Sequence, residues 1–242
     1  MIDKSTTQLP SGYLIDYSLA TIDKDFDGVG SNDTLKAYGD FFYYYNMLEL
    51  GKVNSNATLQ LTNDLFINSR RYLRDSSDTV PFLFLYQPYQ KIDSNALSDN
   101  LFSVTTDSVR LIDVSGRPSS PYDDKELFMF TPAITNISQF DAITFSFPSS
   151  FWQMPGITSV TIDFDDGQGN RNMSEGSAVN VYYATEGYKT ITATISTING
   201  SRIAKSRIYY TRPPYYIKAD TTWDISVSPI YTDEDSFLGS SR

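Results

Sequence analysis

The chain has 242 residues, 40% of them hydrophobic, with 15 Phe, 18 Tyr and 2 Trp, enough apolar bulk for one large domain or two ordinary ones. It contains no Cys and no His, which excludes disulfides and every catalytic unit built on those residues, and leaves zinc and haem without their usual ligands. A net charge of -10 with a pI near 4.4 repels phosphate backbones, so nucleic acid is not an expected partner.

No run approaches the ~20 apolar residues of a membrane-spanning helix, and none is expected. Met1 to Ser5 lacks the apolar core of a signal peptide. The first pattern with chemical content is Asp23-Lys24-Asp25-Phe26-Asp27-Gly28. Alternating carboxylates before a glycine allow one tight turn to present several oxygens to Ca²⁺, with the Val29 carbonyl next in line. Thr34 stands where an EF-hand has its bidentate acid, and Asp33 falls one residue early. The set Asp23, Asp25, Asp27, Val29 and Asp33 therefore reads either as a loose calcium loop or as a solvated acidic turn.

Asn32-Asp33-Thr34 is a helix N-cap, predicting a helix from Leu35 to Leu50 that stops at Gly51. Two apolar stripes follow helical spacing, one through Leu35, Tyr38, Phe42 and Tyr45, the other through Phe41, Tyr44 and Leu48. The Tyr43-Tyr44-Tyr45 run is equally at home in a strand. A second helix is predicted from about Asn63 to Arg74, its last turns carrying Arg70, Arg71 and Arg74. Val80 to Gln90 reads as a strand, Leu101 to Ile112 as one or two short strands, and Ser115 to Pro121 as a loop.

Beyond that loop the alternation is of period two. It runs through Ile143, Phe145 and Phe147, then Val160, Ile162 and Phe164, then Val179, Val181 and Tyr183, and then Ile191, Ala193 and Ile195. Asn199-Gly200 signals a hairpin into a strand from Ile203 to Tyr210. Strands so spaced, starting near Glu126, predict a β-sandwich. The fold class expected is an α+β N-terminal lobe over residues 1–122, an all-β immunoglobulin-like sandwich over 123–212, and an acidic linker over 213–242.

Val160-Thr161-Ile162-Asp163-Phe164-Asp165-Asp166-Gly167, then Tyr183 to Gly187 and the strand behind it, carry a resemblance. The segment from about 126 to 212 resembles the polycystic-kidney-disease (PKD) type of immunoglobulin-like module, in which a D-F-G-D-G turn precedes a Y-x-x-x-G-x-Y-x-V-T-x-x-V hairpin. Asp165 replaces the family's first glycine, and Ile162 its usual aromatic. The N-terminal part resembles the leading segments of large secreted surface proteins of the Bacteroidetes group. These resemblances imply a secreted or cell-surface location and a non-catalytic module that spaces or presents neighbouring domains of a larger chain, with a protein or glycan ligand. They also imply that Asp163, Asp165 and Asp166 are turn formers. The competing functions are the accessory N-terminal region of a larger secreted hydrolase, and a histidine-free glycosidase using a carboxylate pair.

The candidate ligand-binding residues are Tyr209, Tyr210, Tyr215, Tyr216 and Trp223 around the Pro213-Pro214 stop, with Tyr86 and Tyr89 beside Pro88. Flat rings with a polar tip suit sugar faces and protein partners. In strands, the same rings also serve as packing.

Overall fold

The computed structural model describes residues 9–15, 35–36, 38–75, 79–104, 111–113, 116–139 and 142–213. The described chain is mostly β, with two short helices and mixed sheets. In order the elements are β1 (Leu35–Lys36), α1 (Tyr38–Leu50), α2 (Thr62–Asp75), β2 (Thr79–Ile92), β3 (Phe102–Val104), β4 (Leu111–Asp113) and β5 (Tyr122–Pro132). They continue with β6 (Asn136–Ser138), β7 (Ile143–Ser146), a 3-10 turn (Ser149–Phe151), β8 (Trp152–Gln153), β9 (Ser159–Asp163), β10 (Asn170–Ser174), β11 (Ala178–Val181), β12 (Gly187–Thr197) and β13 (Gly200–Thr211).

One sheet runs β1-β13-β12-β9-β10, with β6 also on β13; the other runs β11-β7-β2-β5, with β8 on β2. β12 and β13 pair antiparallel from Thr197↔Gly200 to Gly187↔Tyr210, and β6 lies parallel to β13. β3 and β4 form a separate small ribbon.

The two sheets close over one apolar core. Phe82 and Phe84 of β2, Phe128 and Phe130 of β5 and Phe145 of β7 meet Ile162 of β9, Ile191 and Ala193 of β12, and Ile208 of β13. The rings of Phe82 and Phe147 stack with centroids 5.7 Å apart, and those of Phe145 and Phe164 at 5.5 Å. A second core uses the other face of the same ribbon. Leu83, Leu85 and Tyr89 of β2 and Leu127 and Met129 of β5 pack with Phe41, Tyr45 and Leu48 of α1 and with Leu65 of α2. A strand covered on both sides reads as a continuous apolar run rather than an alternating one, as Val80 to Leu85 does. The sheet thus passes through the region where two lobes were expected to part, since β2 and β5 pair from Phe82↔Pro132 to Ile92↔Tyr122.

α1 buries Phe41, Tyr44, Tyr45 and Leu48, the i, i+3, i+4, i+7 stripe. It starts at Tyr38, later than the sequence suggested. Leu35 and Lys36 are instead held in β1, parallel to Lys205 and Ser206 of β13, a partner too distant in sequence for a local cap signal to reveal. Gly51 ends the helix as expected, for a different reason: a Cβ there would lie 2.9 Å from the Leu14 carbonyl oxygen, so close backbone approach requires glycine. The first turn of α2 is capped by Glu49, whose carboxylate accepts the Thr62 amide at 2.7 Å and the Thr62 hydroxyl.

The β12–β13 hairpin turns on Ile198 and Asn199, one residue earlier than the Asn-Gly signal suggested. Gly200 follows with φ +104°, the left-handed position that closes the turn, while the Asn199 amide donates to the Thr197 hydroxyl at 3.1 Å. β10 was not expected, because its inward positions are Arg171 and Met173 rather than an apolar pair.

Candidate functional site

The acidic turn after β9 is built from hydrogen bonds to its own carboxylates. Asp163 Oδ1 accepts the Asp165 amide at 2.9 Å, bending the chain so that Asp165 takes a φ of +59°. Asp165 Oδ2 accepts the Thr190 amide at 2.9 Å, one step beyond the last β9–β12 pair, Thr192↔Asp163. The side chain therefore supplies the acceptor that the strand no longer provides. Asp166 Oδ1 accepts the Gln168 amide at 3.1 Å, and its Oδ2 pairs with Arg171 Nη2 at 2.6 Å with the Asp166 side chain fully buried. The Arg171 guanidinium lies over the Phe164 ring at 4.5 Å, and the Tyr183 hydroxyl donates to the Phe164 carbonyl at 2.7 Å. Burial pushes the Tyr183 hydroxyl far above the ordinary tyrosine range, and the charges of Asp166 and Asp165 add to it. These acids form a turn, with lone pairs committed to N–H donors. Among the described residues no group of three or more Asp or Glu side chains is placed to hold a metal ion. Asp23, Asp25, Asp27, Val29 and Asp33 lie outside the described residues.

The aromatic candidates separate sharply. Tyr209 points outward from β13 and is 40% exposed. Tyr210, its neighbour, is fully buried: it packs on Tyr183 at 5.3 Å and its hydroxyl donates to the Gln139 carbonyl at 2.9 Å. Strand alternation puts the two on opposite faces, so Tyr210 is a core residue and leaves the ligand-binding set. Tyr86 and Tyr89 are also buried. Tyr215, Tyr216 and Trp223 lie outside the described residues.

Tyr209 instead has partners that sequence reading missed. Tyr188, directly opposite on β12 and 69% exposed, meets it edge to face with centroids 4.9 Å apart. Arg207, two residues before Tyr209, lays its guanidinium over the Tyr188 ring at 5.5 Å. The same outward columns carry Lys205 on β13 and Thr190, Thr192 and Thr194 on β12. Beyond β13, Asn136 of β6 lies beside Tyr209 and is exposed. The signal available in the sequence was the outward phase of β13, odd-numbered from Ile203 to Tyr209. Near the same strand end, Arg212 lies over the Tyr182 ring at 5.6 Å and donates to the Tyr182 hydroxyl at 2.7 Å.

Two open hollows lie on the surface of the described residues. One, of about 420 Å³, lies between the helices against Phe42, Leu61 and Phe66; the other, of about 380 Å³, is lined by Trp152, Met154, Pro155 and Ile157. Each has a single carboxylate on its lining, Glu49 and Glu175 respectively, where a glycosidase pair needs two. Glu49 is already engaged as the cap of α2. Partial burial raises its pKa, but the Thr62 bonds and the Lys52 charge more than offset this, and it lies below its ordinary value. A carboxyl held ionised in this way is a poor proton donor. Among the described residues no helix is long and apolar enough to cross a membrane. Compared with known proteins, the chain matches no family model, no curated protein and no solved structure.

Proposed function

We propose that this chain is a non-catalytic extracellular module, an immunoglobulin-like sandwich of the PKD type braced by a helical layer. It spaces or presents neighbouring domains and engages a protein or glycan through its exposed aromatic face. The observation that carries the reading is strand order. β10-β9-β12-β13 follows the C′-C-F-G order of immunoglobulin sandwiches, and the β7–β11 pair follows their B–E pair. The acidic turn adds support, because Asp165 adopts the left-handed conformation at the position where the resembled family has glycine. The absence of His and Cys from the whole sequence removes the commonest catalytic groups and favours binding over turnover. The Asp23 loop remains a proposed Ca²⁺ site of this module.

The purified protein, incubated with panels of glycoside and peptide substrates and in parallel with immobilised glycans and surface proteins, should bind without turning over substrate. Protease added to intact producing cells should degrade it. Turnover, or complete protection from the protease, overturns the reading.

A further inference from the structure

We propose that the outward columns of β12 and β13 form a binding face for an anionic polysaccharide, one carrying carboxylate or sulfate groups. This deepens the reading above and rests on it.

The face has three parts. Tyr188 and Tyr209 form an exposed edge-to-face pair, locked across the strands by register, so their contact area is rigid before any ligand arrives. Arg207 is laid flat on Tyr188 and has no ion-pair partner among the described residues. Its N–H edge is left for an anion, and a guanidinium meets a carboxylate or a sulfate through two parallel bonds. Lys205 continues the cationic column by one outward step, and Thr190 and Thr192 stand opposite Arg207 and Lys205 as hydroxyl donors and acceptors.

Charge distribution selects the class of ligand. The outward positions Tyr188, Thr190, Thr192, Thr194 and Ser196 of β12, and Ile203, Lys205, Arg207 and Tyr209 of β13, include two cations and no acid. In a chain of net charge -10 this is a local reversal of sign. At physiological ionic strength the Debye length of about 8 Å lets the local pair dominate over remote acids. The carboxylates bordering these columns are engaged: at the β9 side Asp163 and Asp165 accept the Asp165 and Thr190 amides, and before Tyr188 Glu186 accepts the Arg212 amide at 2.8 Å. A ligand lying along β13 keeps the width of β12 between itself and Asp163.

The same columns favour a glycan over a protein. A protein interface buries an apolar centre inside a polar rim. Here hydroxyls alternate along the whole of β12, with the two tyrosines at one end. Repeating sugars present hydroxyls and anionic groups at intervals and need only a few rings to lie against.

The test is affinity electrophoresis of the full chain through gels containing polygalacturonate, dextran sulfate or neutral dextran. Retardation by polygalacturonate, by dextran sulfate or by both is expected, with none by neutral dextran; the first two arms separate a carboxylate from a sulfate preference. Tyr188→Ala and Arg207→Ala should each weaken binding by about tenfold or more. Both sites are exposed, so Tm should stay within ~2 °C of wild type, and added salt should weaken wild-type binding. No retardation by either anionic polymer overturns the proposal, as does equal retardation by neutral dextran, or unchanged binding in both folded variants. Retention of surface proteins alone, lost in the two variants, would make this a protein-docking face and overturn it too. None of these failures requires turnover or protease protection, so each leaves the module reading standing.

Discussion

Phe84 and Leu85 are consecutive residues of β2 that end in different cores, Phe84 stacked on Phe130 at 5.5 Å between the two sheets and Leu85 against the helices. Both are fully buried. A single strand is therefore the shared wall of the two layers, and a defect on either face is felt by the whole.

Phe84→Ala should cost about 3–5 kcal/mol and Leu85→Ala about 2–5 kcal/mol. Each should move one common unfolding transition, seen together by far- and near-ultraviolet circular dichroism during denaturant titration. Two separated transitions, with only one displaced by each substitution, would show that the layers unfold independently.

The Asp166–Arg171 pair is buried on its acidic side. Asp166→Ala strands the guanidinium over Phe164 and should cost about 3 kcal/mol. The double variant with Arg171→Met should recover part of that loss, as a double-mutant cycle on urea midpoints will show. A zero coupling energy would remove the pair from the account of the turn.

Asp165 faces two demands, a left-handed backbone and an acceptor for Thr190. Asp165→Asn meets both and should be nearly neutral. Asp165→Ala meets neither and should lose about 1–2 kcal/mol. Equal stability of Asn and Ala variants by thermal unfolding contradicts this.

Glu49 gives a pH dependence with a definite sign. Its carboxyl lies below its ordinary 4.5 in the folded chain, so its contribution is present above that value and disappears as pH falls through the lower, folded one. Glu49→Gln should therefore lower Tm at pH 7, with the gap from wild type narrowing below about pH 4.5. A gap that is constant with pH assigns the cap no role for charge.

The Asp23 loop is tested by thermal unfolding in millimolar Ca²⁺ and in chelator. Calcium should raise Tm in the wild type by mass action and leave Asp25→Ala unmoved. Equal Tm values in the two buffers return the loop to a solvated turn.

Much of the β architecture was legible because one face of each strand is buried. Ile191, Ala193 and Ile195 alternate with threonines, and β12 formed where that alternation placed it. The same rule, applied within the Tyr209-Tyr210 doublet, separates an exposed ring from a core ring, since Tyr210 is in phase with buried Ile208. What was not legible depended on distant partners. β1 exists through its pairing with β13, and β10 through an inward Arg171 whose charge is met by Asp166. Tyr188 and Arg207 are joined by the register of the hairpin, and composition carries no trace of that.

The two-sided burial of β2 also sets a hazard during synthesis. Roughly 120 residues separate Ile92 from Thr211, so β2 leaves the ribosome on the order of ten seconds before the last strand of the opposing sheet is complete. In that interval Phe82 and Phe84 have no finished core against the opposing sheet, although α1 and α2, which pack on Leu83 and Leu85, are already made. Such a segment, rich in strand formers and free of charge, is a nucleus for intermolecular pairing. The two helices made before it, Pro81 at its head and the early arrival of β5, its antiparallel partner, are what the chain has to shield it with. Yield in a fast-translating host should therefore be limited by capture of this ribbon, and growth at lower temperature should recover soluble protein without any change in sequence.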